Sequence, residues 1–163
     1  MLLGIDPGSS ESAYCVINSK MKPIEFAKID NEQLKDNLPN IIKNHNVDAV
    51  AIEHIASYGM AVGKEVFDTC IWVGRFWEIA SHRVPSKYLL PIYRKEEKIA
   101  LCGSMRAKDS NIRQALIDLF AKHDLKNGKG TKANPDWFFG FKSDIWASYA
   151  VAYTAKMKLE GKQ

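Results

Sequence analysis

Residues 47–54 read Val-Asp-Ala-Val-Ala-Ile-Glu-His, a nearly continuous apolar run that stops at Glu53. A helical pattern precedes it, with Leu34, Leu38, Ile41 and Ile42 spaced by threes and fours behind Asp30 or Asn31 as a cap. Asn46 breaks that pattern. An apolar run arriving after a helix predicts a strand buried on both faces and parallel to the first strand of the sheet. That first strand is the short apolar run 2–5, halted by the turn-forming Asp6-Pro7-Gly8-Ser9-Ser10. Residues 12–18 are rich in strand formers, Lys20 to Pro23 supply a turn, and Ile24 to Ile29 read as a third strand, so the opening is an antiparallel meander. Downstream, an apolar-rich helix fits 60–82, a strand 89–93 and an amphipathic helix 109–121. A lysine-rich loop fits 122–142, and a last helix runs from Ser143-Asp144 to about Leu159. The order specifies an α/β domain with a mixed five-stranded sheet, its first three strands antiparallel and the later ones joined through helices.

The chain has 163 residues and a net charge of +4, with 46% hydrophobic and 26% charged residues, which fits one globular domain over 1–163. That mild positive excess is compatible with a nucleic-acid partner. No apolar run approaches the roughly 20 residues of a membrane span. Met-Leu-Leu-Gly-Ile-Asp lacks the basic region and cleavage site of a signal peptide, so a cytoplasmic protein is expected. Cys15, Cys70 and Cys102 lack metal-site spacing and read as reduced thiols filling core space. The 60–82 helix is apolar around much of its girth, through Val66, Phe67, Cys70, Ile71, Val73, Trp77 and Ile79. Such a helix is central in a core or forms a subunit interface.

Three acids stand at telling places. Asp6 ends the first strand, Glu53 ends the buried strand and Asp144 opens the last helix. Each alone has a structural reading: a turn residue, the first solvated residue past a strand, and a favourable charge in a first helical turn. Together they are expected to meet, because adjacent parallel strands 1 and 4 would bring two carboxylates to the crevice where open α/β sheets place ligands. Clustered carboxylates repel one another and take up protons, and a hard divalent cation such as magnesium or manganese removes that penalty.

The same residues carry a resemblance. Leu3-Gly4-Ile5-Asp6-Pro7-Gly8 with Ser10, then Ala51-Ile52-Glu53, then Trp72-Val73-Gly74-Arg75-Phe76 with Ile79-Ala80 follow one another in order. Lys98 five residues before Gly103, Lys108 before Ser110, and Asp144 followed by Ala147 and Ala150 to Ala152 complete the series. This ordered set resembles the RuvC-type Holliday junction resolvases of the ribonuclease H-like superfamily. "GIDPG" alone also resembles the phosphate loop of actin-like ATPases, but that fold needs two duplicated halves and the chain has no internal repeat. The sequence departs from the family at two positions. Phe141 stands where the family has a second acid or histidine, three residues before Asp144, and Asp136 could replace it if the loop folded back. Lys142 or a water filling the space is the other reading. The family's wedge aromatic falls on Ala56, which makes Tyr58 the displaced candidate. A small enzyme with these departures points to a phage-encoded member.

The resemblance implies a ribonuclease H-like fold and a magnesium-dependent endonuclease, with manganese able to substitute, that cuts branched DNA at four-way junctions as a homodimer. Two ions would be held by Asp6, Glu53 and Asp144, with Asp6 bridging both. Lys98 and Lys108 would neutralise charge at the scissile phosphate. Tyr58, Arg106, Lys108, Lys129, Lys132 and Lys142 would contact DNA, and lysine contacts give affinity without sequence information. Trp137, Phe138 and Phe139 could stack on bases, but packing under the last helix is the stronger reading. The alternatives are a nuclease of RNA–DNA hybrids and an inactive junction-binding module.

Overall fold

A computed structural model describes residues 1–57, 59 and 61–162. Strands β1 (Leu2–Asp6), β2 (Glu11–Ile17) and β3 (Pro23–Asp30) form the meander, followed by α1 (Asn31–Asn44) and β4 (Ala49–His54). Next come α2 (Lys64–Ser81), β5 (Leu89–Tyr93), α3 (Arg94–Cys102), α4 (Asp109–Phe120) and α5 (Ile145–Leu159). The sheet order is β3-β2-β1-β4-β5. The pairs β1–β2 and β2–β3 are antiparallel, whereas β4 runs parallel to both β1 and β5. The mixed sheet expected from the sequence is therefore the one formed.

Alternation along the strands feeds two cores. Leu3, Ile5, Val16, Val50 and Ile52 face α1 and α2, packing with Leu34, Leu38, Val73 and Phe76. Leu2, Ala13, Cys15, Ala49 and Ala51 face the other way, against Tyr149, Val151 and Ala152 of α5 and Leu116 of α4. Two buried faces explain why β4 carries so little polar alternation. Asp30 caps α1, its carboxylate accepting from the backbone N–H of Glu32 at 2.8 Å and of Gln33 at 3.3 Å.

The structure adds α3, which the sequence reading passed over. Its first turns carry the charge run Lys95-Glu96-Glu97-Lys98, which in sequence reads as a solvated face; Glu96 accepts from the Tyr93 N–H at 2.7 Å and Gly103 ends the helix at φ 63°. Two other expectations change. Cys15 fills core space, but Cys70 is exposed on α2 and Cys102 only half-buried. On α2 only Val73, Phe76 and Ala80 are buried, while Phe67 and Ile71 face solvent. The helix is thus amphipathic with an apolar outer stripe and is not central in the core.

The 122–142 segment is an irregular loop held by two carboxylates. Asp124 accepts from the N–H groups of Asn127, Lys129 and Gly130, and Asp136 from those of Lys122, His123, Asp124 and Trp137. Phe138 and Phe141 are buried against Trp146 and Tyr149, so packing prevails over base stacking there; Phe139 stays exposed.

Candidate active site

Strand register decides which acids meet. In the β1–β4 ladder Ile5 pairs with Ile52, so Asp6 and Glu53 each lie one step beyond the last pair. Leu2 and Gly4 on β1, and Ala49 and Ala51 on β4, face α5, and the period of two puts Asp6 and Glu53 on that same face. Helix α5 lies unusually close to β1. A Cβ at Gly4 would run into the backbone of Ser148 and Ala152. Asp144, the N-cap residue of α5, comes near enough for its charge to act on Asp6. The turn after Asp6 is pinned from behind. Buried Ser12 accepts from the Gly8 N–H at 3.1 Å and donates to Asn31 Oδ1 at 2.5 Å, while Asn31 Nδ2 donates to Gly8 O at 2.9 Å. A side chain at Gly8 would strike the Glu11 carbonyl.

The electrostatics report the convergence. Burial, then the charge of Glu53 and a hydrogen bond shared with it, hold the Asp6 carboxyl well above the usual carboxylate range; Asp144 and Glu97 push the same way. Asp144 pairs with Lys28 Nζ at 2.8 Å, and Lys28 also reaches Glu11 at 3.6 Å.

Glu97 is the residue that sequence reasoning missed. It is fully buried on α3, with Oε2 accepting from Arg94 Nη1 at 2.5 Å and Oε1 without a partner among the described residues. Burial first and then Glu53 drive its carboxyl well above the usual range, against the pull of Arg94. Arg94 also binds Asp109 at 2.6 Å, tying the start of α3 to the start of α4. The signal available in the sequence was the helical face shared by Arg94, Glu97 and Leu101, the last of which packs on the core.

Asp6 and Glu53 come together, with Asp144 and Glu97 inside their electrostatic reach. Among the described residues no three acidic, histidine or cysteine groups close into a complete ligand set. Asp144 is instead paired with Lys28, and Glu97 with Arg94. The donors nevertheless fit a hard divalent ion, being all carboxylate oxygens, one of them buried without a donor.

The cationic residues divide into two groups. Lys98 sits on α3 beside Glu97, Lys108 caps α4 next to Asp109, Arg106 lies in the α3–α4 turn and Lys142 precedes Asp144 by two. Lys129 and Lys132 belong to the stapled loop, whose residues 122–123 and 134–137 line a groove with Lys22 and Pro23. Pro23 pairs with Ile17, and Ile17 with Leu2, so that groove lies at the opposite end of the sheet from Asp6. Asp136 is in the same place, so it does not stand in for an acid at Phe141; it organises its own loop. None of these six cations makes an ion pair among the described residues. Tyr58 lies outside the described residues.

No family model and no curated protein matches the chain by sequence. Solved structures do match it. Thermus thermophilus RuvC in complex with a Holliday junction substrate aligns over 99% of this chain and 96% of its own, with a TM-score of 0.71 and 14% identity. The yeast mitochondrial Holliday junction resolvase covers 99% of this chain and 80% of its own at a TM-score of 0.57 and 15% identity. The Fowlpox virus resolvase, solved with a Holliday junction, covers 97% of both chains at 0.51 and 16%. The ribonuclease H-like fold of these resolvases is the fold of this chain.

Proposed function

Taking that fold as the premise, we propose that the chain is a divalent-metal-dependent endonuclease that nicks four-way DNA junctions. The observation that supports the reading is the meeting of Asp6 and Glu53 on one face at the carboxyl edge of the sheet, with the Asp144 charge in reach of Asp6. Magnesium, or manganese in its place, would be held by Asp6, Glu53 and Asp144. When bound, it supplies Lewis-acid activation of water and charge stabilisation on the phosphate. Lys28, paired with Asp144, holds that carboxylate beside the start of α5. Lys98 and Lys108, free of internal carboxylate partners among the described residues, neutralise charge that develops on the scissile phosphodiester. Arg106 and Lys142 extend the positive rim along the DNA backbone.

Cutting paired strands of a nearly two-fold symmetric junction calls for a two-fold symmetric enzyme. Helix α2 offers the surface. Phe67 and Ile71 are exposed at helical spacing with Gly74, where a side chain would meet nothing within 4 Å among the described residues. An exposed mid-helix glycine costs about 1 kcal/mol, and an apolar stripe beside it suits the close approach of a second copy. Assembly through α2 is the proposed dimer.

The deciding experiment offers synthetic four-way junctions, RNA–DNA hybrids and linear duplex to the protein in magnesium. Symmetric nicks in the junction, lost in Asp6→Asn while junction binding survives, are the expected result. Preference for hybrids would make it a ribonuclease H-like enzyme instead. Binding of junctions without cutting in magnesium or manganese would make it an inactive junction-binding module.

A further inference from the structure

Helix α3 leaves β5 at the same edge where β4 delivers Glu53. Glu53 pairs with Ile92, and Arg94 opens the helix two residues later. Glu97 follows within one turn, its side chain entirely buried. Arg94 satisfies one of its oxygens but divides a single positive charge between Glu97 and Asp109. The other oxygen, Oε1, is buried and meets no donor among the described residues. An apolar residue would fill this space without that cost, and a buried carboxylate oxygen left without a donor next to other carboxylates is among the more expensive arrangements a core can hold. A divalent cation between Glu97 and Glu53 reverses the sign of their interaction.

We propose that Glu97 is a fourth carboxylate of the metal centre, ligating the ion through Oε1. The inference rests on the metal-dependent reading of Asp6, Glu53 and Asp144. It gives α3 a role that its charge run conceals: the helix carries a ligand on its inner face and Lys98 one residue on. The contact with Arg94 then orients Glu97 through the oxygen that does not face the ion, as partners of ligating carboxylates do.

The test is equilibrium binding of manganese alone, by calorimetry and by electron paramagnetic resonance of the free ion, to the full chain and to Glu97→Gln and Asp6→Asn. The glutamine keeps an oxygen for Arg94 and removes the charge. Expected is at least a tenfold loss of manganese affinity at one or more sites in Glu97→Gln, with the metal-free protein melting at the same or a higher temperature. Unchanged affinity and stoichiometry in Glu97→Gln, together with loss in Asp6→Asn, would overturn the assignment of Glu97 alone. Unchanged binding in both variants would overturn the metal centre itself. Should Glu97→Gln fail to give a folded circular dichroism spectrum, Glu97→Asp is measured instead. It retains the charge with a shorter reach, so a tenfold loss supports ligation and unchanged binding overturns it.

Discussion

Two aspartates show how one side-chain type is turned to opposite ends. Burial works to raise the Asp136 carboxyl, but the N–H groups of Asp124, His123, Lys122 and Trp137 win and hold it well below the usual range. Its folded value lies below its unfolded one, so its stabilisation is complete above about pH 3.9 and disappears as pH falls towards the folded value. Asp6 is raised, so its contribution is complete below the unfolded value and is lost as pH rises through the folded one. Acid titrations of the metal-free protein followed by circular dichroism should therefore separate them. Asp136→Asn flattens the acid limb and costs roughly 2–3 kcal/mol at neutral pH through donors left weakly paired; Asp6→Asn removes the decline with rising pH above the carboxylate range. Lys108→Ala is expected to slow junction cutting by about a hundredfold or more while leaving junction affinity within a few-fold, as measured by single-turnover cleavage beside a binding titration.

At the scale of elements, the site depends on how closely α5 lies on β1. Gly4 is the residue that permits it, with Ser148 and Ala152 filling the space a side chain would need. Gly4→Ala should cost about 1–3 kcal/mol in a denaturant titration. It should also reduce cutting beyond the loss of folded protein, because lifting α5 moves Asp144 away from Asp6. Retention of full activity in the folded fraction would show that the placement of Asp144 is not limiting. Most elements could be read from periodicity, since the meander, α1, β4, α4 and α5 each carry their own pattern. Helix α3 could not, because its charged first turn and nine-residue length leave only Leu101 and the Gly103 stop as signals.

At the scale of the whole molecule, the proposed dimer and the charged rim make separable claims. Ile71→Glu should leave the fold intact, because the side chain is exposed in the protomer, and should turn a dimer into a monomer in light scattering. A dimer that persists would move the interface elsewhere. The rim predicts a steep fall of junction affinity with salt. Its slope should shrink in Lys142→Ala, two residues before Asp144, or in Arg106→Ala, in the α3–α4 turn, and change little in Lys129→Ala or Lys132→Ala, on the loop stapled by Asp124 and Asp136. Equal effects from both sets would mean that the DNA wraps past the sheet to that loop.

The order of the sheet, the strand-end positions of Asp6 and Glu53 and the likeness to the resolvases were all legible in the chain before folding. Those features are local: strand and helix periods, turn residues and the order of short motifs are written in neighbouring residues. Tertiary structure alone decided that Glu97 is interior and not part of a solvated run, and that Asp136 staples its own loop. It also decided that Lys129 lies in the loop stapled by Asp124 and Asp136, and that the outer stripe of α2 is open. Burial and proximity between distant stretches are properties of packing, and a charged residue reads the same in sequence whether its carboxylate ends in water or against another acid.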